Sequence, residues 1–168
     1  MTLQRLARLS LLVLLGILAI FAEAAPVGHP SGGLPSPDLL FLVVAFFSVR
    51  RPSTPLMVLV FALGLIRDLL TDAPVGAGAL TLFAASEAFR ALSRRLRSAP
   101  VAAELLAVAV VLAATLAVQW LLVVLTFLQP PAPFVLVRQW ALTVALYPLV
   151  IVVLRWMFRI GWRRPRRY

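Results

Sequence analysis

The sequence predicts an all-α integral membrane protein, folded as a compact bundle of six transmembrane helices. Hydrophobic residues make up 62% of the chain and charged residues 13%, which is more apolar side chain than a soluble domain of 168 residues can bury. Runs such as residues 11–15 (LLVLL) lack the alternation of apolar and polar residues that a membrane barrel needs. Because lipid offers the backbone no hydrogen-bond partner, a helix is the remaining way to cross it.

Six apolar segments define the helices, and polar or arginine-rich stretches separate them. Residues 39–49 rise only about 16 Å as a helix, against a hydrocarbon core of about 30 Å, so this segment needs neighbours to shield its ends. Ser-Pro-Asp at 36–38 and Ser-Ala-Pro at 98–100 have the residue types of helix N-termini. Within one membrane domain spanning 1–168, we predict helices at about 9–25, 37–50, 55–70, 75–93, 100–128 and 134–158.

Arginine placement predicts the orientation. All 16 basic residues are arginines, against six acids, and the net charge is +10. Cytoplasmic loops of membrane proteins carry such an excess. With both chain ends in the cytoplasm, Arg138 alone falls near the opposite face and Arg67 lies within a span. We interpret the cytoplasmic arginines as topology signals that contact anionic lipid, not as a nucleic-acid-binding surface: Arg50, Arg51, Arg90, Arg94, Arg95, Arg97, Arg163, Arg164, Arg166 and Arg167.

The first segment also has features of a signal peptide. Arg5 and Arg8 precede an apolar run, and residues 22–24 (Ala-Glu-Ala) are a candidate cleavage site. We favour a first helix that is retained, with the second reading kept as an alternative.

The residues that usually carry chemistry are scarce. There is no cysteine, and the single histidine, His29, lies in a stretch rich in glycine, proline and serine. No nucleophile motif, zinc-binding motif or phosphate-binding glycine loop occurs. The only close pair of carboxylates in a membrane segment, Asp68 and Asp72, has no histidine or lysine beside it. We therefore predict no enzymatic activity, no metal and no cofactor.

The third segment contains two adjacent charged residues, Arg67 and Asp68. On insertion scales each costs about 2.5–3.5 kcal/mol at a helix centre. Gly64, Asp68 and Asp72 fall on one helix face at four-residue spacing. One interpretation is a buried polar anchor for another helix or for a partner. The alternative places both charges near the outer interface, where Arg67 reaches water and Asp68 caps a helix or stays solvated.

Other residues indicate close packing or local interactions. Gly76 and Gly78 open the fourth helix with small side chains, which let helices approach closely in lipid. Trp140 fits an interfacial aromatic belt, and Pro148 should kink the sixth helix or remove one of its hydrogen bonds. Three residues separate Glu87 from Arg90, which predicts a local ion pair.

The order and spacing of several short blocks resemble the bacterial rod shape-determining MreD family. No single block is diagnostic, and together they cover most of the chain from Ser36 onward. The blocks are Pro37-Asp38-Leu39-Leu40, Arg50-Arg51, Gly64-Leu65-Ile66-Arg67-Asp68-Leu69-Leu70, Pro74-Val75-Gly76, Ala79-Leu80, and Trp140-Ala141-Leu142 to Tyr147-Pro148-Leu149 and on to Arg155.

The resemblance implies a non-enzymatic subunit of the cell-elongation machinery in the bacterial inner membrane. MreD-like proteins act with MreC, with the actin-like filament MreB, with the glycosyltransferase RodA and with a class B penicillin-binding protein. It also implies a six-helix fold similar to that of the substrate-binding (S) component of energy-coupling-factor transporters. Asp68, Gly64 and Gly76 match the family's glycine–aspartate–glycine block, so we expect them, together with Asp38, Arg67, Asp72, Gly78, Trp140 and Pro148, to serve partner binding or packing.

Three functions compete at this point. The first is a scaffold that binds MreC and helps couple MreB filaments to peptidoglycan synthesis and cell shape. The second is a small-molecule-binding membrane subunit of a transporter, which should bring several polar groups together at one site. The third is a small intramembrane enzyme, for which the sequence offers no nucleophile or base.

Overall fold

The prediction of an all-α chain with six helices is confirmed. The computed structural model describes residues 3–24, 36–50, 57–71, 74–126 and 131–160, and these residues contain no strand. The helices are α1 (Leu3–Ala24), α2 (Leu39–Arg50), α3 (Met57–Leu70), α4 (Ala77–Ser98), α5 (Val101–Leu125) and α6 (Pro133–Ile160).

The helix bounds differ most at the start of α1, which begins at Leu3 and not near residue 9, and at the end of α4. The sequence predicted an end near residue 93, because several arginines follow, but the helix runs to Ser98. Ser93 and Leu96 are buried in these last turns while Arg94 and Arg95 face outward, so an amphipathic turn continues the helix. Ser98 does not cap α5 as expected. Its hydroxyl donates to the carbonyl of Arg95, and α5 begins after Pro100 without a side-chain cap.

The shortest helix, α2, lies at the centre of the bundle. Every residue from Leu40 to Val49 is buried, and α1, α4 and α6 pack around the helix. A helix that is apolar on all sides is surrounded either by other helices or by lipid, and α2 is surrounded by helices. Its 12 residues rise about 18 Å, so it needs the longer helices beside it.

Helices α3 and α4 approach closely because both have small residues at their contact. A side-chain methyl at Gly64 would lie 2.6 Å from the Cα atom of Ala79, closer than real contacts come. The glycine thus lets one helix backbone rest on the other. Gly76, just before α4, has a positive φ of 93°, a conformation that side chains disfavour.

Helices α5 and α6 pack on this inner group and leave much of their apolar surface exposed. Only four residues of α5 are buried, and they repeat every four positions from Glu104 to Leu116. Val101–Leu125 and Pro133–Trp156 are the two described helices long and apolar enough to cross a membrane. Helix α6 continues through Pro148, which has no N–H to donate, so one intrahelical bond is missing there.

Candidate functional site

The first polar cluster surrounds Arg67 at what we call the carboxylate end, where α1 and α3 end and α2 and α4 begin. The Nε atom of Arg67 lies 3.2 Å from Glu23 Oε2, and its Nη1 atom donates to Asp38 Oδ2 at 3.0 Å. Both carboxylates are buried, with side-chain exposures of 7% and 5%. Arg67 therefore joins the end of α1 to the start of α2 from a position on α3.

The same two carboxylates bind the start of α2. Glu23 accepts a hydrogen bond from the amide of Leu40 at 2.9 Å, and Asp38 accepts one from the amide of Phe41 at 2.8 Å. The hydroxyl of Thr143 on α6 accepts from the amide of Asp38 at 3.0 Å. The first amides of a helix have no partner within the helix, and here side chains from three elements supply one.

Asp68 performs the same task for α4. Its Oδ2 atom accepts hydrogen bonds from the amides of Gly76 at 2.9 Å and Ala79 at 3.0 Å. The residue is buried, with an exposure of 3%. A side chain at Gly78 would collide with Asp68 Oδ1. Adjacent residues on a helix point about 100° apart, so Arg67 and Asp68 reach different helices.

The second cluster centres on Glu104 at the opposite end of α2, which we call the arginine end. Glu104 Oε2 accepts from Arg50 Nη2 at 2.5 Å, and Oε1 accepts from the Tyr147 hydroxyl at 2.8 Å. Glu104 is 1% exposed and joins α5 to both α2 and α6. Among the described side chains, Arg50 Nε and Ser48 Oγ are the buried polar atoms without a hydrogen-bond partner.

The structure brings six of the predicted packing residues to the carboxylate end and leaves two elsewhere. The six are Asp38, Gly64, Arg67, Asp68, Gly76 and Gly78. Trp140 instead donates its indole N–H to the carbonyl of Ala109 on α5, and Pro148 lies in the second half of α6. Asp72 falls outside the described residues. A role of any of them in partner binding stays a prediction.

The arginines assigned to topology and lipid fall into two environments. Arg50 is held in the buried pair with Glu104, so it has a structural contact that the sequence did not indicate. Arg94, Arg95 and Arg97 are exposed, and the expected pair of Arg90 with Glu87 is present at 2.8 Å. Arg51, Arg163, Arg164, Arg166 and Arg167 lie outside the described residues.

Sequence reasoning missed Glu23, Glu104, Thr143 and Tyr147 as members of these clusters. Glu23 and Glu104 were available as signals, because each is an acid inside an otherwise apolar helix and such a residue needs a partner. Thr143 and Tyr147 lie four residues apart on the inner face of α6, a spacing that predicts a shared face but no partner.

A cavity of about 230 Å³ opens at the carboxylate end, where α3, α4, α5 and α6 meet. Asp68 and Gly78 form part of its wall, and Gln119, Trp120 and Gln139 face them from α5 and α6. Three other grooves among the described residues are almost wholly apolar, and one of them, between α5 and α6, has a volume of about 490 Å³.

Comparison with known families decides how this bundle is classified. The family model described as rod shape-determining protein MreD matches residues 3–159, nearly the whole chain. The chain belongs to the MreD family. MreD proteins are membrane proteins of the system that determines rod shape, and the match includes every residue of both polar clusters. Searches of the curated proteins and of the solved structures find no match to this MreD chain.

Proposed function

We propose that this chain is a non-enzymatic scaffold subunit of the bacterial elongation complex that binds MreC and helps couple MreB filaments to peptidoglycan synthesis. The family match across residues 3–159 carries the proposal. The chemistry of the bundle supports it, because each buried carboxylate accepts hydrogen bonds from another helix or from a helix start. Because these bonds hold helices together, they favour a packed scaffold.

The scaffold is proposed to cross the inner membrane six times with both ends in the cytoplasm. The described arginines support this, since Arg50, Arg90, Arg94, Arg95 and Arg97 all lie at or beyond the arginine end. At that end the exposed arginines would contact anionic lipid. The carboxylate end would then face the periplasm. The similarity to the S-component fold of energy-coupling-factor transporters remains a prediction.

The orientation is testable because the chain has no cysteine and single cysteines can be added freely. Thr71 at the carboxylate end and Ser98 at the arginine end are both exposed. We expect a membrane-impermeant maleimide to label Thr71→Cys in intact spheroplasts and Ser98→Cys only after permeabilisation. Labelling of Ser98→Cys in intact spheroplasts would overturn the topology.

MreC is the proposed direct partner, while RodA, MreB and a class B penicillin-binding protein are bound directly or through it. The full chain should co-purify with tagged MreC from detergent and should not co-purify with an unrelated tagged single-pass protein. Cells depleted of the chain should grow as spheres and return to rods when it is restored. A well-folded chain that never captures MreC, in cells that stay rod-shaped on depletion, refutes the scaffold.

A transporter subunit is the second candidate, and the cavity at the carboxylate end is the observation that favours it. Its distinguishing requirement is an energising ATPase. Stoichiometric co-purification with such an ATPase, in place of MreC, would favour this second function.

A further inference from the structure

The cavity at the carboxylate end has a mixed lining, unlike the apolar grooves along the helices. Its volume is about 230 Å³, enough for a small polar group and the few carbons attached to it. Its polar or aromatic walls come from the end of α3, from the end of α5 and from the first turns of α6: Arg67, Asp68, Thr71, Gln119, Trp120 and Gln139.

Several hydrogen-bond donors around this cavity are already in use. The Thr71 hydroxyl donates to the carbonyl of Arg67, and the Gln119 amide nitrogen donates to Thr81. The Trp120 indole N–H donates to the carbonyl of Pro131. In Arg67, Nε pairs with the carboxylate of Glu23 and Nη1 pairs with that of Asp38. The lining keeps both kinds of group: Arg67 and Gln139 retain N–H donors, while Asp68 Oδ1 and the side-chain oxygens of the two glutamines remain as acceptors.

The central acceptor is Asp68. Its Oδ2 atom caps α4, whereas none of the described donors bonds Oδ1. Oδ1 lies in the space that a side chain at Gly78 would occupy, and both residues line the cavity. Arg67 forms its described ion pairs with Glu23 and Asp38, so Asp68 Oδ1 lines the cavity without an ion pair or hydrogen bond among the described residues.

We propose that this cavity binds a primary ammonium group, supplied by a small free amine or by an ethanolamine phospholipid headgroup. An ammonium offers three donors and a positive charge, which complement Asp68 Oδ1 and the side-chain oxygen of Gln119. The ring of Trp120, in the same wall, suits a cation. The inference depends on neither proposed function, because occupancy requires neither MreC nor transport.

The test uses the full chain in nanodiscs. In phosphatidylcholine discs, radiolabelled ethanolamine should bind saturably at one site per chain. In discs that contain phosphatidylethanolamine, native mass spectrometry should show one retained molecule of that lipid. Binding in the first arm assigns a free amine, and lipid retention without ethanolamine binding assigns the headgroup. Absence of both overturns the proposal.

Asp68→Asn keeps an oxygen for the cap of α4 and removes the charge, so binding should fall at least tenfold. Glu87→Gln removes a carboxylate far along α4 and should leave binding unchanged. Gln139→Leu is the second variant, because its side chain has no hydrogen bond among the described residues; it should weaken binding severalfold with an unchanged circular dichroism spectrum. Unaltered binding in Asp68→Asn and Gln139→Leu refutes the site.

Discussion

The two ends of α2 solve different problems with the same kinds of residue. The carboxylate end contains three acids and one arginine. Each acid accepts a hydrogen bond from a backbone amide at the start of α2 or α4. At the arginine end, Glu104 in the first turn of α5 accepts from one arginine and one tyrosine, and neither bond comes from a backbone amide. Acids thus cap the starts of helices at the carboxylate end, whereas Glu104 at the arginine end links the side chains of three helices.

The difference teaches where charge compensation is indispensable. The positive end of a helix dipole and its free amides offset part of the charge of Asp68 and Asp38. Arg67 is the described cation that contacts Glu23 and Asp38, so these two carboxylates depend on it. At the arginine end Arg50 keeps 23% of its side chain exposed, so this arginine retains some access to the surroundings although Glu104 is buried. We therefore expect the first cluster to tolerate substitution less than the second.

Removal of Arg67 should have the largest effect. In Arg67→Met, Glu23 and Asp38 stay buried beside each other without their cation, which destabilises a protein by about 3–5 kcal/mol. The free energy of unfolding can be measured by SDS titration in mixed micelles, followed by tryptophan fluorescence. Arg138→Met is the matched control, because that arginine stacks over the Phe134 ring and makes no described ion pair; its loss should be worth about 0.5–1 kcal/mol.

A charge-balanced variant sharpens this result. Arg67→Met combined with Glu23→Gln and Asp38→Asn should recover part of the lost stability, since it removes the uncompensated charges and keeps acceptors for α2. If the triple variant is as unstable as Arg67→Met, packing of the arginine side chain accounts for the effect and the electrostatic account fails.

The Glu104 cluster should give the next effect. Glu104→Gln weakens two hydrogen bonds to a charged group and leaves Arg50 without a counterion, so we expect a loss of about 1.5–3 kcal/mol. A double-mutant cycle with Arg50→Met in the same SDS titration separates the ion pair from the tyrosine contact. A loss equal to that of Arg67→Met would remove the contrast between the two ends.

The sequence predicts the six helices well because lipid-like composition and arginine runs act over whole segments. It also predicts that Gly64 and Asp68 share one helix face, and that small residues such as Gly78 let helices approach closely, but it does not bring the two together. The sequence alone does not predict that Arg67 pairs with Glu23. The two residues are 44 positions apart, and the adjacent Asp68 is an equally plausible partner by charge. Only the packing of α1 beside α3 decides between them. The ion pair of Arg50 was not predicted for the same reason, since its partner lies on α5.

Glycine substitutions at the α3–α4 contact should have a smaller and graded effect. In Gly64→Ala the new methyl meets the Ala79 backbone at 2.6 Å, and backbone cannot move aside, so we expect a loss of about 1–3 kcal/mol. In Gly16→Ala the methyl meets the end of the Leu63 side chain, which can rotate. Gly16→Ala should therefore be nearly neutral in the same titration; equal losses would show that helix propensity or the detergent, not steric contact, sets the result.

The smallest change in unfolding free energy should come from the Glu87–Arg90 pair. Like Glu104–Arg50 it joins a glutamate to an arginine, but it is more exposed to solvent. Its side chains are 35% and 28% exposed and lie one helical turn apart. Water and ions screen such a pair, and its members need not be held by the fold, so Glu87→Gln should change the unfolding free energy by about 0.3–0.5 kcal/mol. The change should vanish at high salt, whereas that of Glu104→Gln should persist because Glu104 is 1% exposed. Salt dependence of equal size at both sites would mean that the arginine end is open to solvent and that Glu104 is not a buried connection between helices.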